Sequence, residues 1–328
     1  MSTITRQLGR SGIRVSGMGL GCWAIGGPLW AGKAPAGWGE VDDAESIRAI
    51  HCALDLGVNF LDTADVYGAG HSERVLGRAL AGRRDRVVIA SKFGNTFDES
   101  ARQITGSNAA PEYIRRACEA SLRRLNTDYI DLYQFHLNGY DPERAEEVWA
   151  VLEDLAVEGK IRHYGWSTDF GERARVFAEG PNCTAAQFQM NVLDDAAEMV
   201  AVCEELNLAG INRGPLAMGL LTGKYRTGSR LAADDVRGDK SPPWMKYFKD
   251  GRPDPEWLEK LDAVRETLTG GGRTLAQGAL AWLWARSEHT IPIPGFRTVA
   301  QVEENCAAMQ FGPLSVGQMS EIDEWLER

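Results

Sequence analysis

Residues 130–166 read IDLYQFHLNGYDPERAEEVWAVLEDLAVEGKIRHYGW. Apolar, β-prone runs open and close this stretch at Ile130–Phe135 and Ile161–Trp166, and between them Glu143–Glu158 carries apolar residues at helical spacing. A strand, a helix and a second strand in so short a span form a βαβ unit, whose strands run parallel. The same rhythm extends outward in both directions. Further strands are expected at Ser16–Gly21, Asn59–Asp62, Val87–Ser91, Ala186–Met190, Leu208–Arg213 and Thr290–Pro294, with helices at Asp42–Leu56, Pro111–Leu125 and Thr274–Arg286. Asp42 and Glu45 stand at the N-cap and N3 positions of a capping box, and Gly57 stands where a helix end wants a left-handed residue.

Eight strands alternating with helices, and no shift of composition to mark a boundary, predict one α/β domain over residues 1–328 rather than two open sheets. The predicted fold is a closed (β/α)8 TIM barrel, entered through a hairpin at Arg6–Val15 that turns at Gly9–Gly12. The segment Tyr225–Pro255 is rich in Gly, Pro, Asp and Trp and has no period, so it reads as a long flap over the C-terminal face.

Charge narrows the function. The chain carries 46 acidic residues against 36 Lys plus Arg, a formal net charge of −10, with no basic cluster of the kind that neutralises phosphates on nucleic acid or anionic membranes. It contains no signal-like N-terminus and no apolar run of membrane-spanning length, so a cytoplasmic protein with a small-molecule partner is expected. Six scattered cysteines read as reduced, mostly buried thiols, and five histidines without HExxH or other paired spacing give no metal site. Gly19–Ala24 matches the GxGxxA dinucleotide fingerprint, yet Ile25-Gly26-Gly27-Pro28 follows where a helix should begin. Gly27–Ala34 falls short of a phosphate-binding P-loop because Ala34 replaces the Mg²⁺-holding hydroxyl and Pro35 opposes a helix.

Barrels carry their chemistry at the C-terminal ends of the strands and in the loops that follow. Asp62, Lys92 and His136 end the second, third and fourth strands, and Tyr67 lies in the loop after Asp62. This set suits proton transfer to a carbonyl oxygen: the phenol is the acid, the ammonium lowers its pKa, the carboxylate holds the ammonium, and the imidazole orients the oxygen. A free tyrosine titrates at about pH 10, and a tenfold gain in its acidity takes about 1.4 kcal/mol of preferential phenolate stabilisation.

The segments GLGCWAIGG, NFLDTADVYG, VVIASKFG, SLRRLNTDYIDLYQFH, GKIRHYGWST, PLAMGLLTGKY, ALAWLWAR and IPGFRTVAQVEEN, in this order, resemble the aldo-keto reductases from about Leu8 to Met309, in the branch that includes potassium-channel β subunits. The resemblance implies an NADP(H)-dependent oxidoreductase interconverting an aldehyde or ketone with its alcohol, NADP being favoured over NAD. It places the catalytic tetrad on Asp62, Tyr67, Lys92 and His136. For the nicotinamide it implies Ser167, Gln187 and Thr168, the last standing where relatives have Asn, with Trp23 and Asp62 at the same end. Arg213 occupies the position at which many relatives set an aromatic ring under the nicotinamide, ahead of Gly214, Pro215 and Leu216. Met218, Gly219, Lys224 and Arg230 are implied for the pyrophosphate. Gly295, Phe296, Arg297, Gln301, Glu304 and Asn305 are implied for the adenosine and its 2′-phosphate, Arg297 as the phosphate reader. Trp23, Trp30 and Trp244, with Tyr67 and His136, are expected around the substrate. The same resemblance admits a second role, a cofactor-binding regulatory subunit with little turnover, and leaves monomer and homo-oligomer both open.

Overall fold

The computed structural model describes residues 4–328. Eight parallel strands lie side by side in chain order: β1 (Leu20–Gly21), β2 (Phe60–Asp62), β3 (Val88–Phe93), β4 (Ile130–Phe135), β5 (Ile161–Ser167), β6 (Cys183–Gln189), β7 (Ala209–Arg213) and β8 (Thr290–Pro292). The sheet closes where Gly21 bridges Gly295, and the Gly19 and Gly21 N–H groups donate to the Pro292 and Pro294 carbonyls at 2.9 and 3.0 Å. Glycine is needed at this seam, since a Cβ on Gly21 would lie 2.6 Å from the Ile293 oxygen. A closed barrel exposes no strand edge.

The helices are α1 (Asp43–Asp55), α2 (His71–Ala79), α3 (Pro111–Leu125), α4 (Ala145–Val157), α5 (Gly171–Phe177), α6 (Ala197–Leu206), α7 (Pro255–Thr269), α8 (Leu275–Arg286), α9 (Val299–Phe311) and α10 (Val316–Trp325). Their ends follow local chemistry. Pro111 starts α3 and a left-handed Asn126 ends it, while Thr274 and Gln277 form a full capping box on α8. The box expected at Asp42 and Glu45 is only half formed. Asp42 caps the Ala44 and Glu45 amides, but the Glu45 carboxylate turns away and accepts from the Val299 N–H at 2.9 Å, tying α1 to the start of α9.

Alternation along the strands divides the molecule into two cores. Phe60, Val88, Ala90, Leu132, Ala185, Ala209, Ile211, Ile291 and Ile293 fill the barrel interior, and Leu8 and Val15 of the hairpin (Thr5–Gln7 paired with Arg14–Ser16) join them. The residues between them, such as Ile89, Phe93, Tyr133 and Phe135, pack outward in the larger core with the helices. On five of the strands the next inward position is polar: Asp62 above Phe60, Lys92 above Ala90, Gln134 above Leu132, Gln187 above Ala185 and Arg213 above Ile211. These polar residues form the top layer of the barrel filling.

The first expected strand, Ser16–Gly21, is corrected. Ser16 belongs to the hairpin, its hydroxyl donates to the Met18 carbonyl at 2.7 Å, and the barrel strand is only Leu20–Gly21. The flap holds no helix. A short hairpin, Phe248–Lys249 with Arg252–Pro253, and the buried side chains of Val236, Tyr247 and Phe248 pack it down, and the Val236 N–H donates to the Gly37 carbonyl at 2.9 Å. An accessory four-stranded sheet from Trp30–Ala31, Ala34–Pro35, Asn95–Asp98 and Gln103–Ser107 also covers this face. The six cysteines are unpaired, five of them buried. Among the described residues, no helix is long and apolar enough to cross a membrane.

Candidate active site

Strand ends β2, β3, β4 and β6 bring Asp62, Lys92, Gln134 and Gln187 into one buried network. The Lys92 ammonium, fully buried, donates to Asp62 Oδ1 at 2.5 Å, to the Thr63 carbonyl at 2.8 Å and to Tyr67 Oη at 3.2 Å. Its three donors are thereby spent. The other Asp62 oxygen accepts from Gln187 Nε2 at 2.7 Å and Gln134 Nε2 at 3.1 Å. Burial works to lower the Lys92 pKa, but the Asp62 carboxylate and Tyr67 outweigh it and the net shift is upward, so the ammonium stays charged.

Tyr67 is placed by its loop. Gly68 adopts φ +59° with its Cα against the Gly26 backbone, where a Cβ would meet the Gly26 oxygen at 1.8 Å. The phenol ring stacks on Trp23 with centroids 6.0 Å apart and meets the His136 ring edge-on at 5.9 Å. Its pKa departs from the sequence expectation. Burial raises it, Lys92 pulls it down, and burial prevails. His136 is held well below the usual imidazole range by burial and by the nearby Lys92 and Arg213 cations, and its Nδ1 is buried without a partner. It therefore stands as a neutral ring.

Two chambers open from this point. One, of about 240 Å³, runs past Gly21, Trp23, Asp62, Tyr67, Gln187 and Arg213 along Gly214, Pro215, Leu216, Met218, Gly219 and Lys224 to Gly295, Phe296, Arg297, Gln301, Glu304 and Asn305. The other, of about 940 Å³, is walled by Trp23, Leu29, Val66, Tyr67, Ile104, His136, Ser167, Met218, Trp244 and Met245, with Asp169, Asp194, Asp195 and Glu198 at its polar end. Trp23, Tyr67, Arg213, Gly214 and Met218 border both.

Three expected contacts are not brought together with the rest. Trp30 faces away from the substrate chamber, because its neighbours Leu29 and Ala31 take the inward positions of that extended segment. Thr168 is buried outside both chambers, its hydroxyl donating to the Asn138 carbonyl at 3.5 Å and accepting from the Phe170 N–H at 3.4 Å. Arg230 lies exposed in the flap, paired with Asp239. Ser167 borders the second chamber rather than the first. Arg213 sits at the junction of the two chambers, and its guanidinium is engaged by Asp169 and Gln189.

Sequence reasoning missed Gln134, Asp169 and Arg237. Gln134 was readable, since it breaks an apolar strand in the register that pairs it with Lys92. Arg237 had no signal, because it lies in the aperiodic flap, from which it donates to the Met218 carbonyl at 2.8 Å and lies over the Trp38 ring.

The lining of the narrower chamber suits the phosphates of a dinucleotide. Arg297 donates to the backbone carbonyls of Trp38 and Glu40, and among the described residues neither it nor Lys224 is ion-paired with a carboxylate, so both charges are available to phosphates. Arg297 also lies just before the N-terminus of α9, whose cap is Thr298.

Comparison with known proteins agrees with this architecture. The chain is 31% identical to the aldo-keto reductase yakc [NADP(+)] of Schizosaccharomyces pombe over 99% of its own length and 92% of that protein. Among solved structures it is similar to the glycerol dehydrogenase AKR11B4 of Gluconobacter oxydans, with TM-score 0.82, 30% identity, and coverage of 100% of this chain and 96% of that one. It is also similar to a Klebsiella pneumoniae aldo-keto reductase in complex with NADPH, with TM-score 0.70, 27% identity, and coverage of 99% and 95%. The aldo/keto reductase family matches residues 17–327, and with the barrel and its polar layer in place, this chain belongs to that family.

Proposed function

We propose that this protein interconverts an aldehyde or ketone with the corresponding alcohol using NADP(H), Tyr67 being the acid in reduction and the base in oxidation. The observation that carries this reading is Tyr67 Oη, held 3.2 Å from a buried ammonium where the two chambers meet. The reduced nicotinamide supplies a hydride when bound. Gln187 and Trp23 would border its ring, the Gly214–Lys224 turn its pyrophosphate, and Arg297, Gln301, Glu304 and Asn305 its adenosine and 2′-phosphate. The NADP assignment has support from Arg297 and from the cofactors named for the yeast and Klebsiella relatives.

The proton chemistry follows from the network. As the carbonyl carbon gains a hydride, its oxygen takes the Tyr67 proton, and the phenolate left behind faces Lys92. Buried alone, that phenolate would be costly, and the ammonium offsets the cost. Neutral His136 donates to the carbonyl oxygen without adding charge. Asp62 keeps Lys92 in place, and the Gln134 and Gln187 amides keep Asp62 in place.

The larger chamber suits an uncharged carbonyl compound with an apolar or aromatic body. Its wall is Trp23, Leu29, Val66, Ile104, Trp244 and Met245, and its cations Arg213 and Lys246 are already paired with Asp169 and Asp194. The continuous hydrogen-bonded path from Asp62 to Tyr67 favours turnover over a purely regulatory role. Tyr67→Phe should abolish reduction of a panel of aldehydes while leaving cofactor quenching of tryptophan fluorescence intact. Wild-type turnover in that variant would overturn the assignment.

A further inference from the structure

Arg213 is one of the few residues that border both chambers, and the nicotinamide and carbonyl must meet at that junction. Its guanidinium donates to Asp169 and, at 3.3 Å, to Gln189 Oε1. Asp169 is itself gripped from several sides. Its Oδ1 accepts from the Gln189 N–H at 2.8 Å, its Oδ2 accepts from Asn138 Nδ2 at 3.1 Å, and its own N–H donates to Asn138 Oδ1 at 2.9 Å. The C-terminal ends of β4, β5, β6 and β7 thus converge on one ion pair, which is built into the rim rather than left as solvated loop charge. The guanidinium is close enough to act on the reacting groups: it adds to burial and Lys92 in holding the His136 pKa down, and with Lys92 it works against the burial that raises Tyr67.

The nicotinamide ring is cationic when oxidised and neutral when reduced. A cation at its edge discriminates between the two forms, and a carboxylate paired with that cation cancels the discrimination. We propose that the Arg213–Asp169 pair sets the relative affinity of the site for oxidised and reduced cofactor, Arg213 disfavouring the oxidised ring and Asp169 restoring it. This rests on the cofactor reading above. The side chains are 35% and 33% exposed, so screening is intermediate; at about 6 Å and an effective dielectric of about 40, one unit charge corresponds to roughly tenfold in affinity.

The test is the ratio of dissociation constants, Kd(NADP+)/Kd(NADPH), measured by tryptophan quenching on wild type, Asp169→Asn, Asp169→Glu, Arg213→Gln and the double variant Asp169→Asn/Arg213→Gln. Asp169→Asn should raise the ratio roughly tenfold, Arg213→Gln should lower it, and the double variant should return close to wild type. Asp169→Glu, which keeps the charge, should keep the ratio. A purely structural role would weaken both forms together and leave the ratio fixed. If wild type binds both forms and neither single variant moves the ratio, this proposal is overturned while the cofactor reading stands. If wild type binds neither form, both are overturned.

Discussion

Lys92→Met isolates the charge at the centre of the network. Lys92 is fully buried, and methionine fills most of its volume, so the main loss is not a cavity. What remains is Asp62, 2% exposed, with two amide donors in place of its ammonium partner. Stranding one member of a buried ion pair costs about 3–5 kcal/mol. For 328 residues at about 2.1 cal/mol/K each, the unfolding entropy at the midpoint is about 0.7 kcal/mol/K, so Tm should fall by about 4–7 °C. Adding Asp62→Leu removes the stranded charge and should return much of that loss, because an apolar pair in place of a buried ion pair is often neutral or stabilising. Turnover should not return. Without the ammonium, the main opposition to burial at the Tyr67 phenol is gone, and kcat for aldehyde reduction should drop by roughly 10²–10⁴, the usual worth of a positioned acid. Calorimetry and NADPH consumption give the two readouts. A Lys92→Met protein that melts with the wild type, or turns over like it, would refute the reasoning.

Arg297→Ala should weaken NADPH binding by roughly 10- to 100-fold, the worth of a hydrogen bond to a charged group, and leave NADH binding nearly unchanged; fluorescence titration with the two cofactors reads this directly. Gly68→Ala places a Cβ 1.8 Å from the Gly26 oxygen at φ +59°, so backbone strain and overpacking together should cost about 2–6 kcal/mol in urea denaturation and displace Tyr67 enough to lower kcat. His136 is neutral in the folded protein and titrates near its ordinary value when unfolded. The unfolded chain therefore binds more protons below about pH 6.5, and stability, complete above that pH, falls as pH drops toward the folded pKa with a slope of up to about 1.4 kcal/mol for each tenfold rise in proton concentration. His163, lowered chiefly by burial, adds in the same direction. Unfolding midpoints of wild type and His136→Gln across this range should show a shallower acid decline in the variant, and parallel declines would count against a buried neutral His136.

The barrel was legible because apolar, β-prone runs and helical spacing alternate along nearly the whole chain, and the cluster of Asp62, Tyr67, Lys92 and His136 was legible because strand ends follow from strand positions. Asp62, Lys92 and His136 needed only that register, and Tyr67 needed the loop after it. What sequence lacked was anything set by distant backbone. Glu45 fits a capping box locally, yet the α9 amide is a better-placed donor once the barrel has closed. Trp30 looked like a wall residue because it follows the first strand at the barrel mouth, but its facing depends on pairing with Gln103 in an accessory sheet that no local pattern announced. The Tyr67 pKa shows the same limit. The neighbour that lowers it was visible in sequence, whereas the degree of burial that raises it was not.

Register also separates function from structure among the buried charges. A second cluster lies close by: Glu73, fully buried, accepts from Ser91 Oγ at 2.5 Å and from Arg124 Nε at 2.7 Å. Ser91 is the residue before Lys92 on β3, so its side chain points outward to the helices while Lys92 points inward. Neither Glu73 nor Arg124 borders the two chambers, and the pair joins α2 to α3 behind the sheet. Both clusters carry the desolvation cost of buried charge. Only the inward one leaves its last member, Tyr67, at the junction of the two chambers. A barrel needing stability alone would fill that layer with apolar side chains, as it does one step below at Phe60, Ala90, Leu132 and Ala185. The change from apolar to polar on moving one inward position up these strands supports the proposed catalytic role of the layer, and it predicts that replacing the Asp62–Lys92 pair together by apolar residues costs activity far more than it costs the fold.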